Sequence, residues 1–103
     1  MKFKFYALKL SAFIILVFLL QILFPGFTEL FFLDSKSFDE FWRFLTALFL
    51  HSNLIHLIYN LFALVIFGSV LEKLIGSRKF LSVFFISGIL ANLISVNFYP
   101  SSL

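Results

Sequence analysis

Three long apolar runs divide the chain. The first extends from Phe5 to Phe24 and is broken only by Lys9 and Gln21. The second covers about Leu54 to Leu71 and the third about Phe80 to Phe98. Each is close to the ~20 residues that carry an α-helix across a ~30 Å hydrocarbon core. A backbone in lipid must satisfy its own hydrogen bonds, so runs of this kind are helices rather than strands. The pattern therefore predicts an all-α membrane protein with three transmembrane helices in one domain spanning 1–103: helix 1 over about 5–24, helix 2 over 54–71 and helix 3 over 80–98.

The segment between the first two helices, 25–53, is more than a linker. Pro25-Gly26 stops helix 1. Phe27 to Leu33 is strongly apolar for a loop, which predicts a half-embedded outer loop dipping into the membrane interface. Ser37-Phe38-Asp39-Glu40 reads as a capping box, in which the Ser37 hydroxyl and Glu40 carboxylate satisfy free N–H groups at a helix start. A short interfacial helix is expected from about Phe38 to Leu50, with Trp42 and Arg43 at interface depth. Ser52 and Asn53 offer an N-cap for helix 2. Gly76 suits a left-handed residue ending it.

Composition agrees with this picture. The chain is 62% hydrophobic and only 13% charged, whereas soluble domains carry about a quarter charged residues. Eighteen phenylalanines fit a lipid solvent. With no cysteine, disulfides, thiolate metal sites and a cysteine nucleophile are excluded. Basic residues sit at helix boundaries instead of along one stripe, so the net charge of +3 is no sign of nucleic-acid binding. Lys2, Lys4 and Lys9 lie at the start of helix 1, and Lys73, Arg78 and Lys79 lie between helices 2 and 3. The outer segment carries Glu29, Asp34, Asp39 and Glu40 against Lys36 and Arg43. The positive-inside rule then puts the N-terminus and the helix 2–3 connection in the cytoplasm, with the first loop and the C-terminus outside. The basic start of the first run raises the possibility of a signal peptide. Its apolar stretch is longer than the usual h-region, and Leu23-Phe24-Pro25-Gly26 lacks a small-x-small cleavage pattern, which favours a retained helix.

Chemistry concentrates in LFLHSNLIHLIYNLFAL, Leu48 to Leu64. On a helix, His56 and Asn60 lie about 40° apart around the axis and share a face with Ala63 and Phe67. An unpaired amide away from water costs on the order of 1–3 kcal/mol, so this face is expected to point into the bundle or a water-filled cavity. One explanation is a pair of hydrogen bonds pinning helices together. Another is a pair of donors placed for an oxyanion. A metal site is disfavoured: His51 and His56 are about 140° apart on a continuous helix, and no third ligand completes a set. No cofactor is expected. In helix 3, Ser87/Gly88, Ala91/Asn92 and Ser95 form a small-residue stripe, expected to allow close packing on helix 2.

The order Trp42-Arg43, His51-x4-His56-x3-Asn60, Gly68, Leu71-Glu72 and Gly76 resembles the rhomboid intramembrane serine proteases. The resemblance implies a part of a six-helix bundle, helices 1 to 3 only. It implies that His56 and Asn60 are oxyanion-stabilising side chains. His51 would be structural at the mouth of the site, Trp42 and Arg43 would hold the loop at the lipid interface, and Glu72 and Gly76 would fix the cytoplasmic end of helix 2. The family's nucleophile, a serine in GxSG, and its histidine base are absent. Both histidines match other roles, Ser87-Gly88 lacks the preceding glycine, and Ser101 and Ser102 sit on a terminal tail. The expectation is an inactive fragment, a truncated product or one half of a split enzyme acting on transmembrane protein substrates, with a second chain supplying GxSG and a histidine. The alternatives are a non-catalytic rhomboid-like protein that binds transmembrane segments, and an unrelated small membrane subunit in which His56 and Asn60 pair with another helix, for example through Asn92.

Overall fold

The computed structural model describes residues 3–33, 39–51 and 53–98. These residues form α1 (Tyr6–Leu23), α2 (Phe27–Phe31), α3 (Trp42–Thr46) running into a 3₁₀ turn at Ala47–Phe49, α4 (Leu54–Ile75) and α5 (Ser77–Phe98). The described residues contain three helices long and apolar enough to cross a membrane: α1, α4 and most of α5. The architecture is all-α, as the three apolar runs require.

At one end, a single carboxylate joins the three long helices. Phe5 precedes α1 with φ 59 and offers no side-chain cap. A bulky residue is strained there, and the first N–H groups of the helix lack partners of their own. Glu72, 1% exposed, supplies them. Its Oε2 accepts from the Tyr6 N–H at 2.8 Å and its Oε1 from the Ala7 N–H at 2.9 Å. The Ser77 hydroxyl, at the first turn of α5, donates to Oε2 at 2.6 Å and accepts from the Lys4 N–H at 3.0 Å. Glu72 and Gly76 are expected at the end of helix 2, and Glu72 reaches beyond that end to cap helix 1.

Gly76 connects α4 to α5 in one residue. Its φ is 94, a sign only glycine tolerates well, but its ψ is 153, so it is not the left-handed cap expected from the sequence. The extended ψ lets the chain reverse at once and restart as helix. Lys73, Arg78 and Lys79 consequently stand on helix ends rather than on a loop between 71 and 80.

Helices in lipid gain little from hydrophobic exclusion and pack through small residues. On α1 the buried positions are Ala7, Ser11, Ile14 and Val17, one face at helical spacing. On α4 the matching contact is Gly68, where an added Cβ would lie 3.4 Å from Ala7 Cβ and 3.1 Å from Leu64 Cδ1. Leu64–Gly68 forms a π-helical turn. Such a turn inserts one residue into the ladder and is common near functional sites.

The other end is organised by the loop. Leu33, Phe44 and Ala47 form a small core closed by Phe32 and by Ile89 and Leu93 of α5. The short helix starts at Trp42, not Phe38. Ser37 and Phe38 lie outside the described residues, and the Glu40 carboxylate accepts from Arg43 Nε at 2.8 Å instead of capping a free N–H. The stripe on α5 also has a different neighbour from the one expected. A Cβ at Gly88 would collide with the Leu48 side chain, and Asn92 Nδ2 donates to the Phe44 carbonyl at 2.9 Å. Gly88 and Asn92 thus seat the 42–49 segment, which packs against α5 and α1, rather than helix 2. Ala91 is exposed.

Replacement of Glu72 by alanine leaves the Tyr6, Ala7 and Ser77 donors without their acceptor. At ~1–3 kcal/mol for each buried group left unsatisfied, the expected loss is about 3 kcal/mol or more of unfolding free energy in detergent. A loss below about 1 kcal/mol would contradict this account of the cap.

Candidate functional site

The outer loop sets the frame of the site. Arg43 is 6% exposed, and its guanidinium reaches three places on the loop. Besides Glu40, its Nη1 donates to the Glu29 and Phe32 carbonyls, each at 2.7 Å. The Trp42 indole N–H donates to the Leu30 carbonyl at 3.1 Å, and the Thr46 hydroxyl to the Phe31 carbonyl at 2.7 Å. Four consecutive carbonyls around the end of α2, from Glu29 to Phe32, therefore find side-chain donors on α3. Trp42 and Arg43 bond here to backbone carbonyls of the loop, groups that spacing alone does not specify.

The chain leaves the 3₁₀ turn in extended form at Leu50, φ −98 and ψ 148. His51 follows before the helix begins. Asn53 caps α4, its side-chain oxygen accepting from the His56 N–H at 2.8 Å. Because α4 starts only at Leu54, the 140° separation expected for a continuous helix does not apply. The His51 and His56 rings meet with centroids 5.2 Å apart. Among the described residues, no group of three histidine, cysteine or acidic side chains could hold a metal ion.

A cavity of about 260 Å³ lies below this pair. Ile14 of α1, Leu48 of the 3₁₀ turn, His51, Asn60, Ala63, Leu64 and Gly68 of α4's own side, and Phe84 of α5 line it. Asn60 Nδ2 donates to the His56 carbonyl at 3.0 Å, which leaves its second amide hydrogen for another acceptor. His56, Asn60, Ala63 and Phe67 are all exposed. Asn60 and Ala63 nevertheless line the cavity together with Ile14 of α1 and Phe84 of α5, whereas His56 and Phe67 stand outside its lining. Helix α1 meets α4 at Gly68 and Glu72, toward the other end of that helix. Asn92, bonded to Phe44, does not pair with His56 or Asn60.

His51 is buried, and its Nδ1 has no hydrogen-bond partner. Burial, and then the His56 imidazole beside it, hold its pKa below the ordinary value of 6.5. The residue missed by sequence reasoning is Gln21, which pairs with the His51 backbone. Its signal was the polar break it makes in the first apolar run.

The rhomboid domain family model matches residues 39–103, more than half of the chain. The chain belongs to the rhomboid family. It is therefore an integral membrane protein of a family of intramembrane serine proteases, and an unrelated membrane subunit is ruled out. It is 39% identical over 71 residues to Rhomboid-like protease 3 of Toxoplasma gondii, a match covering 67% of this chain and 27% of that protein. It is 38% identical over 65 residues to the rhomboid protease GluP of Bacillus subtilis, covering 61% and 13%. It is also 41% identical over 59 residues to Inactive RHOMBOID-like protein 8 of Arabidopsis thaliana, covering 57% and 17%. The chain thus spans between 13% and 27% of the length of these rhomboid relatives. No solved structure matches it significantly.

The depressed pKa of His51 gives a signed pH dependence. Folding favours the neutral ring, so below about 6.5 the unfolded chain binds more protons than the folded one. Stability should then fall as pH drops through 6.5 toward the lower folded value, with no further change at higher pH from this group. Thermal unfolding in detergent at pH 7.5 and pH 5.5 measures it, and His51→Gln should reduce the difference.

Proposed function

We propose that these residues are the oxyanion half of a rhomboid intramembrane serine endopeptidase. His56 and Asn60 donate hydrogen bonds to the tetrahedral intermediate formed on a substrate carbonyl, and His51 packs beside them as a structural residue. The observation that carries the reading is the cavity wall. Asn60 and His51 line one opening together with Ile14 of α1 and Phe84 of α5, and the exposed His56 stands next to it. An oxyanion hole needs donors fixed ~2.7–3.1 Å from where negative charge develops, and rigid placement on a helix supplies this without reorganisation.

Hydrolysis also requires a nucleophile with a base in hydrogen-bond reach. The 103 residues hold no GxSG serine, and their two histidines are both assigned. The serine and base come from sequence outside these residues, either later in the same gene or on a second chain. The 103-residue chain by itself is inactive, and its substrates once completed are transmembrane proteins. The exposed His56 side of α4 is where the completing helices pack. Similarity to an inactive rhomboid-like protein keeps a second reading in view, a non-catalytic member that binds transmembrane segments, because this part of the fold does not carry the catalytic pair.

Sequencing the source DNA some 300 bases past the Leu103 codon tests for GxSG and a later histidine in an apolar helix. With the completed enzyme, His56→Ala and Asn60→Ala should each lower turnover on a transmembrane peptide by ~10²–10³. Unchanged turnover in both would remove the oxyanion role.

The orientation follows from charge. Lys4 and Ser77 are bonded at the end where Lys73, Arg78 and Lys79 gather, which supports a cytoplasmic N-terminus and α4–α5 turn, with the first loop and the C-terminus on the outer side. Single cysteines introduced at Asp39 and Arg78, labelled in intact cells by an impermeant maleimide, should react at Asp39 and not at Arg78.

A further inference from the structure

Lys9 and Gln21 interrupt the first apolar run with long polar side chains. Lys9 has its ammonium 5.6 Å from the centre of the Tyr6 ring, near the end of α1. Gln21 lies twelve residues further along the same helix and belongs to none of the motifs that mark the family in this chain. Its amide is nevertheless fully used. The Oε1 accepts from the His51 N–H at 3.0 Å, and Nε2 donates to the His51 carbonyl at 3.0 Å and to the Thr28 hydroxyl at 3.0 Å.

The pairing with His51 resembles that of a neighbouring strand, with one donor and one acceptor meeting both backbone groups of a single residue. His51 needs such a neighbour. It follows the extended Leu50 and precedes the first helical residue, Leu54, so the helix ladder of α4 does not include it. A buried backbone group without a partner is costly. Among side chains, only asparagine and glutamine carry a donor and an acceptor on one terminal plane. Glutamate keeps the acceptor alone and leucine keeps neither.

The result ties His51 to α1. Ile14 of the same helix lines the cavity with it, and the His51 ring lies against His56. We infer that Gln21 is a positioning residue for the candidate oxyanion site: by bonding both backbone groups of His51 it holds the His51 ring against His56. The inference rests on the reading of His56 as a donor, and its geometric part can be tested without proteolysis.

The experiment is NMR on the isotope-labelled 103-residue chain in lipid nanodiscs. In the unmodified chain, nuclear Overhauser effects are expected between the Gln21 side-chain amide and the His51 N–H, and between the His51 and His56 rings. Gln21→Leu, with helicity by circular dichroism unchanged, should lose the ring–ring effect and move the His51 titration midpoint up toward 6.5, as the ring leaves its buried place. Thr28→Val removes only the third bond and should keep both signals. Absence of the Gln21–His51 effect in the unmodified chain overturns the inference. So does a folded Gln21→Leu chain with its ring–ring effect and His51 midpoint intact. If Gln21→Leu does not fold, the two effects in the unmodified chain and their persistence in Thr28→Val decide. A completed enzyme indifferent to His56→Ala and Asn60→Ala would sink the oxyanion reading while leaving the Gln21–His51 contact in place.

Discussion

The hydrogen bonds of Glu72 hold the arrangement of the three long helices. A carboxylate is among the least welcome groups in lipid, and it is kept here because it is almost wholly enclosed and fully bonded. It stands on α4, caps α1 and accepts from the first turn of α5. Small residues then bring α1 and α4 into contact along Ala7, Ser11 and Gly68. Without the cap, close packing would have nothing to fix its axial position, since van der Waals contact between smooth helices resists sliding poorly.

The outer end obeys the same rule with opposite charge. Backbone carbonyls that helices would satisfy are exposed where the chain turns, and Arg43, Trp42 and Thr46 meet them. Gln21 does this for His51 from within a transmembrane helix. Each of these side chains bonds to backbone, so what they fix is chain path. The positions of His51, His56 and Asn60 follow from that path.

Much of the fold was legible because lipid leaves few options. An apolar run of sufficient length must be a helix, and the described residues have three. Asn53 was legible as an N-cap because capping is local. The ordered motif pointed to the family because its residues fall at fixed intervals. What the sequence concealed was long-range. Nothing near Glu72 says that its partner lies 66 residues earlier. The stripe around Gly88 announces close packing but not against what, and Leu48 occupies the place helix 2 was expected to fill. The two histidines looked too far apart around a helix because the spacing argument assumed a helix that had not yet begun at His51. The polar face of α4 was read as turned to the bundle or a water-filled cavity, and Asn60 and Ala63 do line a cavity, while His56 and Phe67 stand exposed outside its lining.

The π-helical turn at Leu64–Gly68 divides α4 into two lengths and offsets the phase of one from the other. One residue is worth about 100° of rotation on an α-helix. Asn60 and Ala63 of the upper length line the cavity, Gly68 lines it from the turn and also meets α1, and Glu72 of the lower length caps α1. The extra residue in the turn sets the angle at which the Asn60 length stands relative to the Glu72 length, and so fixes how the cavity wall is oriented to the end where Glu72 joins the helices.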